Sequence, residues 1–300
     1  MSVENTTVQP QHITRYQLPD FIIGGALKSG TTSLYYYLRQ HPDIYMPSLK
    51  EPRYFAFDET NPEHVGNAGF FSIRTLEDYA HLFDDAMPTQ VRGEASPHYM
   101  LSELAPERIA RTIPDVKLIF SLRNPVQRAY SGYWHEYRLG HETRTVEEAL
   151  TGDDYLVTTG CYAARLAPWY DTFDASRIKL VLFDDIKADP VGVVSDLCRF
   201  LEVSPDFEFD TAVRNQGGAM RNVRLGRVLE KLKTHPLRSK LNPLLPEVVR
   251  TSLVDVRSRN FEAPPPMSAE VAAYLNDYYA DDILKLEEIT GRDLSAWRVA

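Results

Sequence analysis

The segment FIIGGALKSGTTS, residues 21–33, decides the fold of this 300-residue chain. Its first part is a short apolar run that ends in glycines, which is typical of a buried strand entering a loop. The apolar and aromatic residues after it predict a helix over 31–40, ended by His41-Pro42. A glycine-rich turn between a strand and a helix directs backbone N–H groups and the positive helix end toward one point. The segment therefore predicts an anion site.

The loop resembles the G-x-x-x-x-G-K-[ST] phosphate loop, but its lysine is displaced. Gly25 and Gly30 have the required spacing, whereas Thr31 occupies the lysine position and Lys28 lies inside the loop. In loops that bind triphosphates the missing lysine reaches the β- and γ-phosphates, and the next residue holds Mg²⁺. We therefore expect a nucleotide with a shorter 5′ group and no metal. The alternative is a glycine turn that only joins strand to helix.

Strands and helices alternate through the first two thirds of the chain. Strands are predicted at 21–26, 91–96, 116–123 and 178–186, and helices at 31–40, 76–83, 104–112, 126–138, 160–173 and 190–201. The run VKLIFSLR (116–123) is almost continuously apolar, as parallel strands covered on both faces are. The pattern predicts an α/β fold: a P-loop-type, doubly wound sheet of mainly parallel strands flanked by helices.

The pattern changes after about residue 203. Amphipathic segments at 220–233, 246–260 and 267–291 predict a helical C-terminal cap. We expect residues 1–18 to form a loose leader and 19–300 to form one domain. Within that domain, 19–203 would be the nucleotide-binding core and 204–300 the helical cap with the acceptor region.

The composition limits the partners and the location. A net charge of −9 and a pI near 5.4 argue against a nucleic-acid partner, because affinity for phosphate backbones depends on clustered basic residues. No signal peptide or membrane anchor is visible in the sequence, so we expect a cytoplasmic protein. Cys161 and Cys198 are far apart and are expected to be reduced.

A second candidate phosphate site lies in SLRNPVQRAYSGYWHEY, residues 121–137. Arg123 ends a predicted strand at the sheet edge where open α/β folds bind ligands. Ser131 lies on the second turn of the helix that follows. A guanidinium with a hydroxyl suits a phosphate dianion, because it can form paired charge-assisted hydrogen bonds. The alternative for Arg123 is a surface ion pair.

Together these motifs resemble the sulfotransferases that use 3′-phosphoadenosine-5′-phosphosulfate (PAPS), particularly the branch with the heparan-type carbohydrate enzymes and their bacterial relatives. The matching stretches run in the same order over roughly residues 20–203. They are LKSGTTSLYYYLRQHP, KEPRYFAFD, GEASPHYM, LRNPVQRAYSGYWHEY and GCYAARLAPWYDTF with IKLVLFDDIKADP.

The resemblance implies a donor site without a metal. Lys28 would contact the bridging oxygen and the 5′ phosphate, and Arg123 with Ser131 would bind the 3′ phosphate. Tyr162 would lie near the nucleotide, and Arg221 would suit a late loop that closes over the 3′ phosphate. The loop itself would be lined by Ser29, Gly30, Thr31, Thr32 and Ser33.

The transfer step needs a base for the acceptor proton and a positive partner for the leaving phosphate oxygen. Lys28 can be that partner. In the heparan-type branch a glutamate in the position of Glu51 is thought to be the base, and a surface ion pair is the alternative for this residue. His98 is the second candidate for a catalytic base, because the aryl and steroid branch uses a histidine.

The acceptor is expected to be a small molecule, a lipid or a neutral sugar with a hydroxyl or an amine, since the charge of −9 does not suit a polyanion. The candidates for acceptor walls are the aromatic residues Trp134, Tyr155, Tyr162 and Trp169, with core packing as the alternative. A homodimer is left open. Two rival functions remain: a Mg²⁺-dependent P-loop kinase, and a non-catalytic protein that binds a bisphosphate nucleotide.

Overall fold

The structure is a computed structural model that describes residues 17–211, 219–220, 261–262 and 264–298. At its centre lies a five-stranded sheet in the order β2-β3-β1-β4-β5, in which every pairing is parallel. The strands are β1 (Phe21–Gly25), β2 (Ile44–Tyr45), β3 (Val91–Ala95), β4 (Lys117–Leu122) and β5 (Ile178–Leu182). A separate antiparallel pair joins β6 (Ala219–Met220) to β7 (Phe261–Glu262).

Helices follow the strands along the chain. They are α1 (Thr31–Leu38), α2 (Pro62–Gly66), α3 (Leu76–His81), α4 (Ala105–Thr112), α5 (Pro125–Leu139), α6 (Val146–Leu150), α7 (Tyr155–Thr158), α8 (Tyr162–Thr172), α9 (Phe183–Ala188), α10 (Pro190–Leu201) and α11 (Ala269–Thr290). The predicted α/β fold class, a doubly wound parallel sheet flanked by helices, is confirmed.

The side chains of β1 alternate between two separate cores. Phe21 and Ile23 pack with residues of α1 and α10, while Ile22 packs with the opposite core formed by α3, α4, α5, α8 and α11. Successive side chains of a strand point to opposite faces, so a central strand buried on both faces must be apolar throughout. All five residues of β1 are buried. This explains why FIIGG contains no polar residue.

Helix α5 begins and ends where its sequence dictates. The Asn124 side chain accepts hydrogen bonds from the N–H groups of Val126 and Gln127, and Pro125 takes the first helical position. The helix ends at Gly140, which adopts the left-handed conformation with φ 82°. These signals place α5 directly after β4 and carry its residues along the carboxyl edge of the sheet.

The strand predicted at 178–186 and the edge strand β2 are two places where the structure differs from the sequence prediction. The predicted strand 178–186 ends at Leu182, and α9 begins at Phe183. Asp184 and Asp185 interrupt the apolar run and lie in the first turn of α9, where the positive helix end stabilises carboxylates. The short edge strand β2 was not predicted, because two residues are too few to show an alternating pattern.

The C-terminal helix α11 packs against α5, α6 and α8. Ser268 caps its first turn, and Gly291 ends it with φ 63°. The helices predicted at 220–233 and 246–260 lie outside the described residues, apart from Met220 in β6, and the predicted division of the chain into leader, core and cap stays a prediction. Within the described ranges no helix is long and apolar enough to cross a membrane.

Candidate active site

The strand order places the candidate site at the carboxyl ends of β1 and β4. From β1 the chain goes to β2 and β3 on one side, and from β4 it goes to β5 on the other. The two strands are neighbours, with Ile23 paired to Ile119 and Gly25 to Phe120. Loops that leave adjacent strands in opposite directions open a crevice at this edge, which is where open α/β sheets bind ligands. Lys28 and Arg123 follow these two strands.

The loop after β1 has the backbone of an anion cradle. Lys28 and Gly30 both have positive φ angles, 66° and 88°. A side chain on Gly30 would place its Cβ atom 2.8 Å from Cδ2 of Phe183, so glycine is needed for space as well as conformation. The first turn of α1 contains no acidic residue and no side-chain cap. Its N–H groups are therefore available to a ligand.

Lys28 is crowded by other cations. Burial and the charges of Arg138, Arg123 and Arg128 together lower the pKa of Lys28 to about 8, and Glu136 acts in the opposite direction. A like charge nearby disfavours the protonated amine, and an anion would reverse that effect. The basic residues around Lys28 therefore outnumber the acidic ones that act on it, and the mouth of the loop is positively charged.

Arg123 lies against this loop and is not an exposed surface residue. Its Nη1 atom is 3.5 Å from the carbonyl oxygen of Lys28, and its guanidinium lies 4.8 Å from the ring centroid of Phe183. Burial lowers the pKa of Arg123. The Tyr162 side chain is fully buried, and its hydroxyl lies beside Ser29 and the backbone of Arg123. The structure thus brings together four of the predicted donor-site residues.

The remaining predicted donor residues have different surroundings. Thr31, Thr32 and Ser33 lie in the first turn of α1, as the loop requires. Ser131 lies half-buried on α5, and no described contact joins it to Arg123. Arg221 lies outside the described residues.

Arg128, which lies between Arg123 and Ser131 in the sequence, has a structural role as a link between two helices. The side chain is almost fully buried and donates to the Thr159 hydroxyl and to the Leu156 carbonyl. These bonds tie α5 to α7. Its charge still acts on Lys28, so it contributes to the positive potential of the crevice without facing it.

Glu51 stands at the centre of a network of basic residues. Its carboxylate forms ion pairs with Lys50 and Arg53, and Nδ1 of His98 lies 3.6 Å from Oε2. Burial alone would raise the pKa of Glu51, but Lys50, Arg53 and His98 together hold it below its ordinary value. One fifth of the side chain is exposed. Glu51 is therefore an ionised carboxylate that a substrate can reach.

His98 has its basic nitrogen engaged. The Nε–H group of Arg53 donates to Nδ1 of His98 over 3.2 Å. Burial and the charge of Arg53 lower the pKa of His98 to about 4. A neutral imidazole that accepts at Nδ1 carries its proton on Nε2 and has no lone pair left to take another. This arrangement favours Glu51 over His98 as the base.

His135 was not among the predicted catalytic residues, although it lies in the quoted 121–137 motif. It sits on α5 and interacts electrostatically with both Lys28 and Glu51. Burial and the charge of Lys28 lower the pKa of His135 to about 3, so the ring is neutral. The residue is thus influenced by charges of both the loop after β1 and the turn after β2. The sequence alone suggested that His135 is a helix residue that faces the acceptor cleft or lies at the surface, and it gave no sign of the influence of Lys28.

The aromatic residues predicted to line the acceptor site differ in burial. Trp169 is in the core, 5.0 Å from the Phe120 ring, so packing explains it. Trp134 is half-buried and Tyr155 is 54% exposed. A cavity of about 270 Å³ lies elsewhere, between α4 and the turn Tyr54–Ala56, and none of its lining residues belongs to the cluster around Lys28 and Glu51. In the described part of the chain no group of three or more His, Cys, Asp or Glu side chains could hold a metal ion.

Comparison with known proteins gives a consistent result. A sulfotransferase family model matches residues 19–208. The chain is 31% identical to a crystal structure of a sulfotransferase from Alicyclobacillus acidocaldarius, with a TM-score of 0.71, and the match covers 94% of this chain and 100% of that one. It is 27% identical, over 93% of its length, to the mouse bifunctional heparan sulfate N-deacetylase/N-sulfotransferase 4. A Caenorhabditis elegans relative with the bifunctional heparan sulfate N-deacetylase/N-sulfotransferase 1 name is 28% identical over 67% of the chain.

The fold and the phosphate loop define a nucleotide-dependent group-transfer enzyme. The chain belongs to the sulfotransferase family, the enzymes that use PAPS as sulfuryl donor. The match covers 31% of the mouse relative and 24% of the Caenorhabditis elegans one, so this chain spans less than a third of the length of these two curated relatives.

Proposed function

We propose that this protein transfers the sulfuryl group of PAPS to a hydroxyl or an amine of a small-molecule, lipidic or neutral sugar acceptor, with Glu51 as base. The observation that carries the proposal is the pairing of two unlike charge clusters at one sheet edge. One is the cation-rich loop around Lys28, and the other is the ionised, partly exposed Glu51. Electrostatic contact of His135 with members of both clusters supports their being parts of one site.

The residues present fit the donor chemically. Its phosphates carry the negative charge that the cluster of Lys28, Arg123 and Arg128 lacks. The uncapped first turn of α1 and the hydroxyls of Ser29, Thr31, Thr32 and Ser33 would bind the 5′ phosphate. Arg123 would bind the 3′ phosphate, together with Ser131 and, by resemblance, Arg221. Tyr162 would support Ser29 and Arg123 from behind.

Lys28 and Glu51 would divide the chemistry between them. Sulfuryl transfer is an in-line displacement that depends on positioning and charge stabilisation, like phosphoryl transfer. Glu51 would accept the proton of the attacking hydroxyl or amine. Lys28 would stabilise the negative charge that develops on the leaving phosphate oxygen, so that no metal is needed for this role. His98 and Arg53 would hold the Glu51 carboxylate in place.

One observation bears on whether the acceptor group is a hydroxyl or an amine. The mouse relative, which matches over 93% of this chain, is named as an N-sulfotransferase. That name favours an amine on a saccharide as a second candidate acceptor. The cytoplasmic location, the absence of a nucleic-acid partner and the oligomeric state stay predictions from the sequence.

The experiment is a transfer assay with radiolabelled PAPS and a panel of acceptors: a phenol, a steroid alcohol, a fatty alcohol, a neutral disaccharide and a glucosamine disaccharide. We expect labelled product from at least one acceptor in the presence of EDTA. Glu51→Gln should abolish it, while Glu107→Gln, an exposed glutamate paired with Arg111, should not. Phosphoryl transfer from ATP with Mg²⁺ and no transfer from PAPS would contradict the proposal, as would full activity of Glu51→Gln.

A further inference from the structure

Behind the candidate base lies a second glutamate that the proposed mechanism does not use. Glu94 belongs to β3 and is fully buried. Buried carboxyl groups are rare because the charged form loses its hydration, so a partner or a purpose is expected for one. Here the neighbours are hydroxyls. Tyr79 of α3 donates to Oε1 over 3.2 Å, and the hydroxyls of Ser96 and Tyr99 lie beside the same carboxyl group.

Ser96 connects this buried group to the candidate base. Its Oγ atom accepts a hydrogen bond from the backbone N–H of Arg53 over 3.1 Å. The Ser96 hydroxyl thus lies between the Arg53 amide, from which it accepts, and the Glu94 carboxyl group. Arg53 in turn forms the ion pair with Glu51 and donates to His98. A chain of contacts thus runs from Glu94 through Ser96 and Arg53 to Glu51.

The backbone at this point depends on such support. Glu51 and Arg53 both have positive φ angles, 64° and 56°, which side-chain-bearing residues adopt only when their surroundings impose them. The Glu51 N–H donates to the carbonyl of Ala95, the residue next to Glu94, over 3.1 Å. Strand β3 therefore fixes the turn that carries the base through two bonds, one at Ala95 and one at Ser96.

We propose that Glu94 is a positioning residue for sulfuryl transfer, which holds Arg53 and Glu51 in their working geometry through Ser96 and strengthens Glu51 as a base when ionised. This inference rests on the proposed function, since it takes Glu51 as the base. Glu94 is too deeply buried to touch the donor or the acceptor. It acts on the reaction only through the residues named.

The ionisation of Glu94 gives the proposal a pH signature. Burial, with a smaller contribution from the charge of Glu51, raises the pKa of Glu94 to about 7 against the opposing influence of Tyr99, Ser96 and Tyr79. The charged or titratable groups around the pair are Tyr79, Tyr99, Glu51, Lys50, Arg53 and His98. Above this pKa the carboxylate binds its hydroxyl donors more strongly, and its charge makes Glu51 a better proton acceptor. The transfer rate should therefore rise as pH passes through about 7.

The test compares wild-type protein with Glu94→Gln, Ser96→Ala and the exposed control Glu107→Gln. We measure kcat for transfer from PAPS between pH 5.5 and 8.5, and the Kd for adenosine 3′,5′-bisphosphate. Glu94→Gln should lower kcat roughly 10-fold at pH 8, near the low end of a general-base effect, and should remove the rise near pH 7. Ser96→Ala should lower kcat at all pH values. In both variants the Kd should equal that of wild type, which a general loss of structure would not allow.

A measurement of stability keeps the proposal testable if activity is too low to follow. A group whose folded-state pKa is raised destabilises the fold as pH climbs from its ordinary pKa to the raised one. The thermal midpoint of wild type should therefore fall between pH 5 and pH 8 relative to that of Glu94→Gln, which has no proton to lose. Parallel midpoints across that range would overturn the proposal.

The outcomes separate this inference from the proposed function. If Glu51→Gln keeps the wild-type rate, the proposed function fails and the role of Glu94 falls with it. If Glu51→Gln is inactive while Glu94→Gln and Ser96→Ala keep the wild-type kcat and pH profile, the inference about Glu94 alone is wrong.

Discussion

The two halves of the candidate site are built in opposite ways. On the donor side, the loop after β1 gathers Lys28, Arg123 and Arg128 with a single opposing carboxylate, Glu136, among the groups that act on Lys28. On the other side, Glu51 is surrounded by Lys50, Arg53 and His98 and has its charge fully matched. The first half needs an anion to balance it, whereas the second is complete without one. Changes on the donor side should therefore weaken nucleotide binding, with Lys28 affecting the transfer rate as well, whereas changes on the base side should appear in the transfer rate alone.

The largest effect is expected at Glu51. Glu51→Gln keeps the shape of the side chain but removes its proton affinity, so kcat should fall by about 10²–10⁴-fold, the range of a general base. The Kd for adenosine 3′,5′-bisphosphate, measured by calorimetry, should stay the same or decrease, because one negative charge leaves a site for an anion. An equally large loss of nucleotide affinity would place Glu51 in the donor half and break the division.

The next largest effect is expected for Lys28→Ala, which should change both the transfer rate and the nucleotide affinity. Loss of one donor aimed at developing charge costs on the order of 10²–10³ in kcat. The nucleotide Kd should rise as well, because Lys28 belongs to the cation cluster. Lys179→Ala is the matched control. This lysine lies on β5, pairs with Asp196 of α10, and is not among the groups that act on Lys28. An unchanged kcat in Lys28→Ala would remove the lysine from the chemistry.

Arg123→Ala should affect binding only. Loss of a hydrogen bond to a charged group costs about 1.5–3 kcal/mol, so the Kd for adenosine 3′,5′-bisphosphate should rise roughly 10- to 100-fold. Adenosine 5′-monophosphate, which lacks the 3′ phosphate, should bind the variant and the wild type alike. Arg177→Ala is the control, because that arginine pairs with Asp115 away from the site. Equal losses for both nucleotides would assign Arg123 to the 5′ side.

The pH dependence of nucleotide binding should separate the halves again. The pKa of Lys28 is lowered to about 8, so the free protein loses this charge as pH rises through 8. A bound anion favours the protonated amine, and affinity should thus fall by up to about 10-fold per pH unit above pH 8. Calorimetry at pH 7, 8 and 9 on wild type and Lys28→Ala measures this. The variant should show a flat profile, and a matching fall in the variant would trace the effect to another group.

The smallest effect is expected at His98. Because Nδ1 of His98 already accepts from Arg53, its removal should lower kcat by less than about 10-fold, well below the loss expected for a base. His98→Gln, which can also accept a hydrogen bond, should recover most of the rate. A loss in His98→Ala as large as that in Glu51→Gln would exchange the roles of the two residues.

The contrast between the halves also explains what the sequence could predict. The loop 25–33 and Arg123 follow their strands directly, so a short motif contains all the information about them. The parallel sheet followed in the same way from apolar runs separated by helical segments. The boundary at Leu182 was missed because the prediction extended the strand through Asp184 and Asp185 to Ile186, whereas these two aspartates belong to the first turn of α9.

The base side depends on contacts between distant segments. The ring of His98 meets Arg53 across 45 positions, and Tyr79 meets Glu94 across 15. The sequence offered GEASPHYM as a strand with a histidine, but the burial of Glu94 arises only when α3 and the turn 97–101 close over it. The path of α5 likewise decides that His135 lies near Lys28. These features follow from the packing of the whole domain and have no local signal.

The most direct test of the central claim is calorimetric titration of the protein with adenosine 3′,5′-bisphosphate and with ATP, each with and without Mg²⁺. The account predicts that the bisphosphate binds more tightly than ATP and that EDTA leaves its affinity unchanged, because Lys28 and Arg123 supply the positive charge. Tight binding of ATP that requires Mg²⁺, with no preference for a 3′ phosphate, would contradict the account.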